Sequence, residues 1–251
     1  MQIPWKTARC IICLREPQVD DSLSELTEAH IIPQSIGGEL SARFLCKRCN
    51  SEMGRLEGQL PRDVAIIELV RALADRLPDD LIRGVLQHAG WFADTADKVS
   101  EFEQAADGAE LEITAGLIVK KHIEVSGVSF ERTYDEPLAP RAIALGIAYS
   151  FLALVLEDRV YQDELGPARD VLRRVVARKA AADDRWPIEW LRTASGPEPK
   201  HALAVVREEE GALVRIWLFR EFVWNVHFRE VAVPAEPFYL LDVHTKEESI
   251  A

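Results

Sequence analysis

The sequence contains neither a long apolar segment nor an apolar stretch near its first residues. We therefore do not expect a membrane-spanning or a secreted protein. Its longest apolar run, at residues 142–156, is interrupted by Gly146, Tyr149 and Ser150 and is too short to span a bilayer comfortably. The opening residues MQIPWKTARC contain no signal-peptide core. We therefore expect a cytoplasmic protein with no membrane partner. In that compartment paired cysteines usually hold a metal and do not form disulfides.

An excess of positive charge is also missing. The chain has 30 basic against 42 acidic residues and a net charge of −12, which argues against coating nucleic acid over the whole surface. The charge is uneven, since residues 1–60 carry −1 and the remaining residues −11. We expect any phosphate contact near the basic residues around Lys47 and Arg48.

All four cysteines lie in one short stretch. They form two Cys-x-x-Cys pairs, Cys10 with Cys13 and Cys46 with Cys49. Each pair can place two thiolates on one side of a tetrahedral ion, so the two pairs predict a closed, structural zinc site.

The hydrophobic pattern predicts an α+β protein in two parts. Residues 1–60 form a small zinc module, with strands near 26–33 and 40–45 and a helix that starts at Asn50 as its N-cap. Residues 61–251 form a larger acidic domain of helices and antiparallel strands. Its predicted helices cover 63–77, 79–89, 140–157 and 167–182, and its predicted strands lie within 110–134 (turning at Ser126-Gly127), 201–207, 213–219, 222–228 and 238–243.

The order of motifs in residues 8–60 resembles one known family. Cys-x-x-Cys, His-Ile-Ile-Pro, Gly-Gly, Cys-x-x-Cys-Asn and a later glycine resemble the HNH endonucleases of the His-Me finger superfamily, in their four-cysteine zinc form. The resemblance implies a small zinc-stabilised ββα finger that hydrolyses phosphodiester bonds in DNA, with RNA left open as a substrate.

The resemblance also implies roles for particular residues. His30 would be the general base that takes a proton from the attacking water, which suits the pKa of histidine. Asn50 would help to ligate one catalytic Mg²⁺ or Mn²⁺, while the four cysteines would only hold the structural Zn²⁺.

The remaining metal ligands are less well marked. Many family members have an acid directly before the histidine, but here that position is Ala29 and the acid is Glu28. Alternation along a strand places Glu28 on the same face as His30. At the final ligand position of the helix, Glu57 is the candidate and Glu52 the reserve.

Two other readings remain open. The module could have kept its zinc frame as a nucleic-acid-binding module without catalysis, which the absent acid at Ala29 favours, or the cysteines could be a structural staple in a protein-interaction module. For the acidic domain we predict oligomerisation, as a homodimer, or regulation. The aromatic residues of one segment are expected to pack in its core; they are Trp217, Phe219, Phe222, Trp224 and Phe228. Its histidines are scattered and do not have the spacing of metal ligands; they are His88, His122, His201, His227 and His244.

Overall fold

The computed structural model describes residues 2–62, 113–114, 117–118, 139–179, 186–192, 201–219 and 222–242. The predicted helices between residues 63 and 89, and the predicted turn at Ser126-Gly127, lie outside these ranges. Within 110–134 the structure describes one short antiparallel pair, β4 (Ile113–Thr114) with β5 (Leu117–Ile118). Among the described helices, none is long and apolar enough to cross a membrane.

The N-terminal part is a ββα finger with one added strand. Strand β2 (Leu26–His30) pairs antiparallel with β3 (Ser41–Cys46), and β1 (Gln2–Lys6), which the sequence pattern did not reveal, pairs parallel with β3 on its other side. A bulge between Thr27 and Glu28 adjusts the register just before the predicted catalytic histidine.

Helix α1 (Lys47–Glu57) follows β3 directly, and its N-cap is Cys46. The prediction that Asn50 caps this helix is therefore wrong, because the second cysteine pair is itself the first turn of the helix. Residues three apart share a helix face, so a helical turn brings the sulfurs of Cys46 and Cys49 to the same side.

The long helix α2 (Ala139–Leu156) confirms the prediction for 140–157 and is the centre of the molecule. Most of its side chains from Ala142 to Ala153 are buried. It packs against α1, against α3 (Gly166–Val176) and against the large sheet. Gly146 permits the close approach to α1, since a Cβ there would overlap the end of Met53.

The C-terminal part is a five-stranded antiparallel sheet in the order β10-β7-β8-β9-β6. Its strands are β6 (Ile188–Arg192), β7 (His201–Glu208), β8 (Gly211–Leu218), β9 (Phe222–Arg229) and β10 (Phe238–Asp242). The four predicted strands are confirmed and β6 was not predicted. Phe219, Trp224 and Phe228 are buried, as expected for core aromatics.

Helix α3 starts where the proline predicts but ends at Val176, earlier than the predicted 182. Residues 177 and 178 turn, and Arg178 has a left-handed φ of 55°, which stops helical hydrogen bonding. The structure thus confirms an α+β protein with a zinc-type ββα finger. The boundary near residue 60 stays a prediction, although one apolar core includes residues from both sides of it, such as Phe44 and Phe151.

Candidate functional site

The four cysteines form one compact cluster. Their Sγ atoms all lie within 4.8 Å of one another, and Cys13 and Cys46 are 3.6 Å apart. A tetrahedral zinc ion with Zn–S distances of about 2.3 Å separates its sulfurs by roughly 3.8 Å. The donor set and its spacing therefore fit a structural Zn²⁺.

The cysteine side chains hydrogen-bond to one another. Hydrogen bonding with the Cys10 thiol lowers the pKa of Cys13, and it lowers the pKa of Cys46 to about 7. The pKa of Cys10 is raised, chiefly by its hydrogen bond with Cys13. Thiolate is the form that binds zinc, so the lowered pKa values of Cys13 and Cys46 favour metal binding.

Side chains from far along the chain hold the first cysteine pair. The hydroxyl of Tyr149 donates to the Ile11 carbonyl, and that of Tyr161 donates to the Arg9 carbonyl, both at 2.9 Å. Arg173 Nε donates to the Ile12 carbonyl at 2.8 Å. The turn that carries Cys10 and Cys13 is thus fixed by α2, by α3 and by the segment between them.

A cavity of about 400 Å³ opens between the β2–β3 connection and α1. It brings together four of the five residues predicted for the catalytic site: Glu28, His30, Asn50 and Glu57. Its outer wall is the 3₁₀ turn Gln34–Ile36, which Ser35 ties to α1 by donating to the Glu57 carbonyl at 3.2 Å.

His30 is half-buried at the end of β2. Its burial lowers its pKa below the ordinary 6.5, and the neighbouring Glu28 carboxylate partly offsets this effect. A neutral imidazole at physiological pH can accept a proton. The ring therefore has the protonation state that a general base needs.

Asn50 ties α1 to the strand that carries His30. Its Nδ2 donates to the Glu28 carbonyl at 2.9 Å and to Thr27 Oγ1 at 3.0 Å. Both bonds use the amide nitrogen and leave the amide oxygen as the group that could contact a cation. The geometry makes Asn50 a clamp on β2 beside the bulge.

Two carboxylates line the same cavity. Burial raises the pKa of Glu57 to about 7, and its carboxylate forms no ion pair or hydrogen bond with any residue in the described ranges. Glu28 accepts a hydrogen bond from Ser41 at 2.5 Å. Together with Asn50 they supply oxygen donors, which are the ligands that Mg²⁺ and Mn²⁺ prefer.

Glu52, the reserve ligand, does not line the cavity. Arg178 contacts both of its carboxylate oxygens at 3.0 Å, and Arg55 contacts one at 3.2 Å. These ion pairs lower the pKa of Glu52, with Arg178 the largest cause. The structure therefore places Glu52 in a contact between α1 and the end of α3, and leaves Glu57 as the acid of α1 that lines the cavity.

Sequence reasoning missed the residues that support the site. Ser41 and Thr27 hold Glu28 and Asn50, but single hydroxyl residues on strands carry no sequence signal of their own. Tyr149, Tyr161 and Arg173 lie far from the motif and become its neighbours only through the fold.

Comparison with known proteins reaches this part of the chain alone. Residues 10–60 match the family model described as HNH endonuclease, and the match includes the four cysteines, His30, Asn50 and Glu57. No curated protein and no solved structure matches the chain. The family match and the cysteine cluster agree on a nuclease-type finger with a zinc site.

Proposed function

We propose that the cavity is the active site of a metal-dependent HNH endonuclease that hydrolyses phosphodiester bonds in DNA. The observation that carries the proposal is the convergence of His30 with Glu28, Asn50 and Glu57 in one cavity of a ββα finger. A histidine base beside a group of oxygen donors suits the attack of water on a phosphodiester.

Each residue has a distinct task in this reaction. His30 accepts the proton of the attacking water, and Asn50 holds the strand so that the imidazole stays in the cavity. Glu57, Glu28 and the amide oxygen of Asn50 would hold the Mg²⁺ or Mn²⁺ ion. When bound, that ion supplies positive charge for the phosphate and the leaving 3′ oxygen.

Plasmid cleavage by the zinc-loaded full chain tests the proposal. We expect cleavage with added Mg²⁺ or Mn²⁺, and a loss of about 10²–10⁴-fold in His30→Ala. The matched control is His227→Ala, since His227 lies on β9 and contacts Glu208 at 3.0 Å, away from the cavity. Equal activity in wild type and His30→Ala would contradict the proposed base.

Ala29 stands where many HNH endonucleases have an acidic residue, and this supports a second candidate function, that of a nucleic-acid-binding module without catalysis. Ala29 is buried and offers no ligand, so the cation would depend on Glu28, Glu57 and the amide oxygen of Asn50. Duplex binding without cleavage in any divalent cation would favour this candidate over the enzyme. Binding to neither DNA nor RNA would favour a protein-interaction module.

One finger has one active site and cuts one strand at a time. Double-strand cutting would then need two copies of the chain, and the acidic C-terminal part is the proposed pairing element. A monomer mass in size-exclusion chromatography, with and without DNA, would contradict pairing and leave the site proposal intact.

A further inference from the structure

A second cleft lies against the cysteine cluster, away from the catalytic cavity. It measures about 160 Å³ and is lined by three of the cysteines and by Arg15, Arg48 and Arg173. Arg15 follows Cys13 by two positions, and Arg48 lies between Cys46 and Cys49. Each cysteine pair therefore contributes one arginine to the same cleft.

Arg15 and Arg48 are exposed. In the ranges that the structure covers, the guanidinium groups of both are without an ion pair or a hydrogen bond. Arg173 differs, because it is bound to the Ile12 carbonyl and to Asp170. A planar guanidinium with several N–H donors is well shaped to bind a phosphate.

A zinc ion with four thiolates would carry a charge of −2, and Arg15 and Arg48 together carry +2, since Arg173 is paired with Asp170. Among the described hydrogen bonds, none joins a guanidinium of this cleft to a cysteine sulfur. Arg15 and Arg48 are thus available to an anion from outside.

Helix α1 connects the cleft to the catalytic cavity. Lys47 is exposed and lies on the same helix face as Asn50, Ser51 and Gly54, three, four and seven positions later. From Arg48 to Gly54 the helix rises about 9 Å.

We propose that this cleft binds a non-scissile phosphate of the nucleic-acid substrate through Arg15 and Arg48, of which Arg48 lies on the same helix as the cavity residues Asn50 and Glu57. The inference rests on the proposed nuclease function. It makes the zinc site part of the substrate-binding surface as well as a structural support.

Salt-dependent duplex binding tests the cleft, in a His30→Ala background that blocks cleavage. The Arg15→Gln/Arg48→Gln double variant should weaken binding and reduce the slope of log K against log salt by about 1.8, from two lost phosphate contacts. The control is Arg207→Gln/Arg229→Gln, which removes two exposed arginines from the large sheet and should not change the slope. An unchanged slope in the cleft variant overturns the inference.

Hydrolysis of bis(p-nitrophenyl) phosphate separates the cleft from the catalytic proposal, because this small ester needs only the cavity. With His30 intact, the cleft variant should keep this activity and its zinc content while losing duplex cleavage. Loss of zinc together with ester hydrolysis would overturn the inference in favour of a role in holding the metal. If wild type hydrolyses neither substrate yet shows the arginine-dependent slope, the cleft stands and the proposed catalysis fails.

Discussion

Two tyrosines whose hydroxyl groups donate hydrogen bonds of the same length provide a test of how the cysteine turn at the zinc site is supported. Tyr149 and Tyr161 each donate at 2.9 Å to a carbonyl beside Cys10. Tyr149 and its partner Ile11 are fully buried, at 0% exposure, whereas Tyr161 and its partner Arg9 are half-buried. Burial also raises the pKa of Tyr149 to about 12, so its hydroxyl stays a donor through the neutral range.

The replacements Tyr149→Phe and Tyr161→Phe should therefore have different costs. Without the Tyr149 hydroxyl the Ile11 carbonyl loses a donor where water does not reach, which costs about 1–3 kcal/mol. Water can replace the Tyr161 hydroxyl, so its loss should cost about 0.5–1.5 kcal/mol. Tyr239→Phe is the control, since that side chain is 64% exposed, and it should change little.

Urea denaturation at a fixed, saturating zinc concentration measures these differences, with the zinc affinity of each variant titrated alongside because bound metal adds to stability according to that affinity. The comparison requires equal m-values, so that the midpoint shift reports stability alone. A Tyr149→Phe effect equal to or smaller than that of Tyr161→Phe would refute the reasoning that burial sets the cost.

Three further predictions concern the finger. Cys46→Ser should release zinc and unfold the finger, measured as zinc content and circular dichroism, because ligation there contributes folding energy. Gly38→Ala should destabilise by about 1–3 kcal/mol in thermal unfolding, because a Cβ overlaps the backbone of residue 32; Gly54→Ala, with nothing within 4 Å, should stabilise by about 0.5–1 kcal/mol. Without divalent cations other than zinc, the pKa of Glu57 is raised to about 7 in the folded state. The folded protein therefore holds the proton of this carboxyl group more tightly than the unfolded chain does. The contribution of Glu57 to stability falls as pH rises from about 4.5 to 7. Glu57→Gln should remove that fall, while the opposite contribution of His30, whose pKa is lowered, remains in both proteins.

The motif residues and the strand pattern were predictable because they depend on local spacing. Two cysteine pairs predict their own cluster, and alternation predicts the three-strand run from β7 to β9. The first residue of α1 was not predictable from the sequence. Asparagine is a favourable N-cap residue, and the sequence does not show that the Asn50 side chain instead hydrogen-bonds to β2. The structure gives it the second role because the helix already begins at Lys47.

The supporting contacts could not be predicted because they join distant parts of the chain. Glu52 and Glu57 are both acids on one helix, and their spacing alone does not separate them. Arg178 separates them, since it binds Glu52 from a turn 126 residues later. A ligand assignment on α1 thus depends on where α3 ends.

The large sheet also reaches the wall of the cavity at His30 through His201, which is 2% exposed. The Phe219 N–H donates to its Nδ1 at 3.2 Å, so Nε2 carries the ring hydrogen and donates to the Ile36 carbonyl at 2.9 Å. Ile36 ends the 3₁₀ turn whose other residues, Gln34 and Ser35, line the cavity. Since a neutral histidine has one such donor and one acceptor, both bonds depend on a single tautomer. The C-terminal sheet therefore fixes the loop opposite α1, as the tyrosines and Arg173 fix the first cysteine pair, and the finger takes its geometry from the rest of the protein at two separate places.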